Sequence, residues 1–110
     1  MNRKIWQRPL GGGAALIVHA LASSGSFAQA PQVAAGEQVY ADYCSSCHGE
    51  GLRNTSGGVT FDLRRLKPDD HERFLDAVLN GKRQMPPWRG ALRPEQIDSI
   101  WAYIRATVYK

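Results

Sequence analysis

Cysteine and methionine are scarce in this chain: two of each among 110 residues. Two cysteines are too few for a disulfide framework. No second short Cys or His pair accompanies them, which argues against a four-ligand structural zinc site. Nor is there the βαβ alternation in which a thiol–disulfide redox pair is usually carried. The longest apolar run, Leu10–Ala22, has 13 residues and contains His19, short of the ~20 needed to cross a bilayer. No cysteine directly follows this run, so a lipoprotein anchor is excluded. Internal repeats, low-complexity tracts and any sign of a second domain are absent. Charge of one sign is also lacking, because with Arg3, Lys4 and Arg8 set aside, eleven basic residues face ten acidic ones. Net charge therefore makes no case for binding nucleic acid or an anionic membrane.

Basic Arg3, Lys4 and Arg8, the apolar run and the small residues around Phe27 together read as a secretory signal. Cleavage is expected after Ala28 or after Ala30. Ala28 is preferred, since a cut after Ala30 would place Pro31 just beyond the scissile bond. Retention of the segment as an anchor is the lesser reading. Downstream of the leader, residues 31–110 form one domain of about 80 residues, close to the size at which a chain needs a staple to hold a core.

The two cysteines supply that staple. Cys44-Ser45-Ser46-Cys47-His48 has the C-x-x-C-H form through which haem c is attached. Two thiols on one helical turn add to the two vinyl groups of a porphyrin as thioethers, and the following imidazole lies under the iron. His48 is thus the expected proximal ligand. Met85 is the one methionine outside the leader, and it lies in Gln84-Met85-Pro86-Pro87-Trp88, where two prolines stiffen a loop. It is the expected sixth ligand. His71, between acidic Asp70 and Glu72, is the rival and reads as a solvated surface histidine. Trp88 is a candidate contact for a haem propionate through its indole N–H. Arg64, Arg65, Lys82, Arg83 and Arg89 are candidate propionate partners or docking charges.

Three helices are expected. The first runs from about Val33 into the haem motif, with Gly36, Tyr40 and Cys44 on one face. The second opens at Pro68, with Asp69, Asp70 and Glu72 in its first turn, and closes at Gly81. The third opens at Pro94 and places Ile97, Ile100, Trp101, Ile104 and Val108 at helical spacing. Between the first two, the segment 49–67 reads as a loop with glycines and no periodicity.

The haem motif, the pairing of Gly36 and Tyr40 with Ile100 and Tyr103, and the run Asn80 to Trp88 together resemble a small class I c-type cytochrome. The likeness covers essentially the whole of residues 31–110. It implies an all-α, cytochrome c-like helical shell around one covalent haem, with the first and last helices crossing. Its methionine loop is most similar to those of bacterial cytochromes and of cytochrome domains fused to quinoprotein dehydrogenases or terminal oxidases. One departure stands out: no proline occurs between His48 and Pro68, where many members of the family use a proline carbonyl to orient the proximal imidazole. A backbone carbonyl between Gly51 and Thr60 is expected instead. The implied function is a soluble, exported, periplasmic one-electron carrier, monomeric, with no membrane span in its mature form. Its partners would be redox proteins, a dehydrogenase, a terminal oxidase or reductase, or both. Two alternatives stand beside it: a haem c subunit of such a complex, and an enzyme with an open sixth site.

Overall fold

The structure, a computed structural model, describes residues 11–13 and 24–109. Of the expected leader, Arg3, Lys4, Arg8 and most of the Leu10–Ala22 run lie outside the described residues. Helices α1 (Ser24–Tyr43), α2 (Ser45–His48), α3 (His71–Asn80) and α4 (Pro94–Val108) carry the fold, with 3₁₀ turns at Glu50–Leu52, Leu63–Arg65 and Pro68–Asp70. No strand occurs among the described residues, only isolated bridges joining Lys82 to Met85 and Arg89 to Leu92. The all-α expectation holds. None of the described helices is long and apolar enough to cross a membrane.

Helix α1 starts well before Val33 and takes in Pro31. Ala28, Gln29 and Ala30 are good helix formers, and one proline in the amino-terminal half interrupts the ladder without ending it. Both expected cleavage points fall inside this helix. Downstream, Gly36 and Tyr40 are buried and Cys44 packs half-buried against the core, so the predicted face is the one used.

That face meets α4. A Cβ on Gly36 would stand 1.8 Å from the Ser99 carbonyl oxygen, so only glycine lets the two backbones come this close. Beside it the rings of Tyr40 and Tyr103 pack with centroids 5.4 Å apart. Helix α4 starts with Pro94 in its first turn, and the Arg93 N–H donates to Gln96 Oε1 at 2.9 Å, pairing one of the amides near a helix start that lack partners. Ile97, Ile100, Tyr103 and Ile104 are buried, while Trp101 and Val108 flank the core half-exposed.

Helix α3 follows the Pro68–Asp70 turn, where Asp70 Oδ2 accepts from the Lys67 N–H at 2.8 Å. It ends at Gly81, whose φ of 77° lies in the left-handed region. Phe74 and Val78 are buried. His71 is not a free surface group as expected. Its ring packs on Trp101 of α4, centroids 5.1 Å apart, because the first turn of α3 lies against that helix. The segment 49–67 is also less irregular than expected: two of the 3₁₀ turns lie in it, and it buries Leu52 and Leu66.

Candidate haem site

Helix α1 delivers the motif. The Cys44 N–H continues the helical ladder to the Tyr40 carbonyl, and the His48 N–H bonds to the Cys44 carbonyl, both at 2.9 Å, so Cys44, Cys47 and His48 occupy one turn. The Tyr40 hydroxyl donates to the Gly49 carbonyl at 2.6 Å and fixes where the chain leaves that turn. Gly49 has φ 91°, and a Cβ there would lie 1.9 Å from the Arg53 carbonyl. No disulfide joins the two cysteines. Burial, with the neighbouring Cys47 second, pushes the Cys44 thiol up to about 11, while Cys47 is exposed.

His48 Nδ1 lies 3.0 Å from the Phe61 carbonyl oxygen. A carbonyl only accepts, so Nδ1 carries the proton and Nε2 presents its lone pair on the other side of the ring. The acceptor is thus Phe61, one residue past the Gly51–Thr60 stretch in which it was expected. Sequence reasoning missed the group that sets its position. Asn54 Nδ2 donates to the Thr60 carbonyl at 2.9 Å, and Asn54 Oδ1 accepts from the Ser56 N–H and hydroxyl. The Thr60 hydroxyl donates to the Cys47 carbonyl at 2.8 Å and so ties this loop to the motif. An Asn two residues before a Ser, in a glycine-containing segment, is the one signal that points there.

Met85 sits in a tight turn closed by two 3.0 Å backbone bonds, Lys82 N–H to the Met85 carbonyl and Met85 N–H to the Lys82 carbonyl. Arg83 within it has φ 56°, a left-handed conformation that costs a non-glycine residue of the order of 1 kcal/mol. After the two prolines, the Trp88 N–H bonds to the Val78 carbonyl at 2.8 Å, anchoring the loop to the end of α3. The Trp88 ring meets Tyr43 edge-on at 5.5 Å. Tyr43 precedes Cys44, so this contact joins the segment of the motif to the loop that carries Met85. A second connection lies at a cavity of about 480 Å³, which Arg83 of the methionine turn shares with Thr60 and Phe61. Cys44, Cys47, His48 and Met85 do not themselves line that cavity.

The candidate charges separate into two groups. Arg64 is committed to Asp62 through paired bonds of 3.0 and 2.9 Å, and that guanidinium holds the Asp62 carboxyl below its usual range. Arg89 donates to Asn80 Oδ1 at 2.9 Å. Arg65 and Arg83 line the cavity, and Lys82 is exposed beside them.

The residues fit a haem. A cysteine pair and an imidazole of fixed tautomer share one turn, and the turn of Met85, a thioether, is tied to the same region. The surrounding apolar side chains are on display: Tyr43, Val59 and Phe61 are 42%, 77% and 37% exposed, and they belong to the motif segment and the loop that holds His48. Val59 and Phe61 line one cavity, an exposed apolar surface of the kind suited to an apolar ligand.

Comparison with known proteins agrees. The family described as cytochrome c oxidase, cbb3-type, subunit III matches residues 31–104. The chain is 42% identical over 74 residues to a quinohemoprotein alcohol dehydrogenase, ADH-IIG, of Pseudomonas putida, covering 66% of this chain and 10% of that protein. It is 34% identical to cytochrome c6 of Leptolyngbya boryana and 33% identical to cytochrome c6 of Nostoc sp.. Those matches cover 64% and 63% of this chain, and 87% and 65% of the two cytochromes. The chain therefore spans only about a tenth of the dehydrogenase but most of the Leptolyngbya cytochrome. No solved structure matches the chain significantly. With a family match across residues 31–104 and a cytochrome c6 covered over 87% of its length, this chain belongs to the c-type cytochromes, in the family described as cytochrome c oxidase, cbb3-type, subunit III.

Proposed function

We propose that the chain is an exported one-electron carrier in which Cys44 and Cys47 hold haem c as thioethers and His48 and Met85 are the axial ligands. The observation that carries this reading is the 3.0 Å contact between His48 Nδ1 and the Phe61 carbonyl, which leaves Nε2 free to ligate. Haem, when bound, supplies the ferric–ferrous couple. The protein does the rest. Phe61 keeps the imidazole in one tautomer and orientation and raises its basicity. The closed Lys82–Met85 turn and the prolines after it present the sulfur with little ordering cost on folding. Thioether ligation favours a higher potential than a second imidazole would. With both positions filled there is no open iron for a substrate, which separates a carrier from an enzyme. Export follows from the basic and apolar leader, and the partners are redox proteins.

The ferric protein should be low-spin and show the weak red band of sulfur-to-iron charge transfer. Met85→Ala should abolish that band, lower the potential and let carbon monoxide bind, whereas His71→Ala should change none of these. A wild type that is high-spin and binds carbon monoxide readily would overturn the assignment. The second reading, a haem c subunit working inside a dehydrogenase or oxidase complex, is favoured by the identity to the quinohemoprotein dehydrogenase. Co-purification at native expression level distinguishes the two.

A further inference from the structure

The loop that carries Met85 leaves helix α3 at Asn80 and comes back against it at Arg89. Two backbone bonds join its ends, Trp88 N–H to the Val78 carbonyl at 2.8 Å and Arg89 N–H to the Leu79 carbonyl at 3.3 Å. Inside it the chain folds onto its own base: a Cβ on Gly81 would stand 2.6 Å from the Met85 carbonyl oxygen and 3.0 Å from the Pro87 nitrogen. Side chains add a third tie. The Arg89 guanidinium donates to Asn80 Oδ1 at 2.9 Å, and Asn80 Nδ2 donates to Asp76 Oδ1 at 2.8 Å. With both ends of the amide engaged it has one orientation, and the carboxylate on its donor side polarises the oxygen that Arg89 grips. None of residues 81–88 is fully buried. The loop therefore falls among the segments that open locally at low cost, and one tie across its ends is a large part of what keeps it shut.

Resting on the reading of Met85 as the sixth ligand, we propose that Asp76, Asn80 and Arg89 form a clasp across the base of the methionine loop. Arg89 is then a positioning residue that sets how often the loop opens and withdraws its sulfur, rather than a docking charge or a propionate partner. The chemistry of the contact separates these roles. A docking charge or a propionate partner acts through charge, whereas here a guanidinium meets a neutral amide. Among the described residues the only ion pair is Arg64 with Asp62, so Arg89 has no carboxylate within 4.0 Å. Added salt, which screens exposed charge pairs, should therefore leave the clasp in place.

Carbon monoxide uptake by the ferrous, haem-loaded protein tests this, because the gas binds only while the sulfur is away and its rate follows loop opening. R89Q and N80A should each speed uptake about fivefold. The double variant R89Q/N80A should be no faster than N80A alone, the signature of two groups acting through one bond. R89K, which still presents a donor to Asn80, should recover most of the wild-type rate. The control R53Q, with the same loss of charge elsewhere, should change uptake less than about twofold, and the R89Q effect should persist in added salt. Effects of R89Q and N80A that multiply, or an R89Q effect that salt erases or that R53Q matches, would overturn the proposal and leave Met85 as a ligand. So would uptake that rises only in proportion to a lower denaturant midpoint, which would make these groups ordinary stabilising contacts. A wild type that lacks the red band and takes up carbon monoxide at once would overturn the ligand reading itself, and the clasp with it.

Discussion

One amide organises the loop that orients His48. Asn54 makes four hydrogen bonds, two as acceptor from Ser56 and two as donor, to the Thr60 hydroxyl and to the carbonyl that precedes Phe61. Asn54→Ala should cost roughly 1–2 kcal/mol and loosen the Phe61 carbonyl. With a weaker acceptor on Nδ1 the imidazole donates less to the iron, so the reduction potential should rise; electrochemistry and thermal melting of the same variant read both effects. That Cys44, Cys47 and His48 share one turn was legible in the sequence from the C-x-x-C-H spacing. Asn54 and Phe61 were not, since their roles exist only once a glycine-rich segment folds back on the motif. The commitment of Arg64 to Asp62 was hidden for a similar reason. Charge is visible in a sequence, but pairing depends on which way a 3₁₀ turn points the side chain.

The crossing of α1 and α4 was legible as a pattern: a glycine and an aromatic at one spacing, an isoleucine stripe at another. Its closeness is a property of the folded pair. Gly36→Ala would place a methyl group 1.8 Å from a backbone oxygen that no rotamer change can move. It should destabilise the protein by roughly 3 kcal/mol or more, seen as a lower midpoint in denaturant with the haem retained. Tyr40 makes a second, pH-dependent contribution. Burial, with Cys44 and Tyr103 nearby, holds its hydroxyl well above the ordinary tyrosine value. A group whose acidity is suppressed on folding contributes stability that is complete below its unfolded pKa of ~10 and is lost as pH rises beyond it. Tyr40→Phe should therefore cost about 1 kcal/mol near neutrality through the lost bond to Gly49. It should also flatten the alkaline decline of stability between about pH 9 and pH 11, read from denaturant titrations. The packing of His71 on Trp101 escaped the sequence because it depends on what lies beside a helix.

At the scale of the molecule, ten buried apolar side chains among the described residues form the core. For a unit the size of the matched segment 31–104 that is a small reserve against chain entropy. Replacing both Cys44 and Cys47 by Ala should leave a haem-free chain with little helical circular dichroism and rapid proteolysis. Cooperative melting of that chain at a native-like temperature would show that the protein core suffices alone. The α1–α4 crossing has a further consequence. Because Gly36 lies against Ser99, residues near both ends of the matched segment 31–104 are neighbours in space, while the haem loops lie in the chain between them. A unit whose two ends leave side by side can be joined to other domains with little disturbance to its interior. That arrangement accounts physically for relatives of two kinds, one matched over most of its length and one in which the same segment makes up a tenth of a much longer chain.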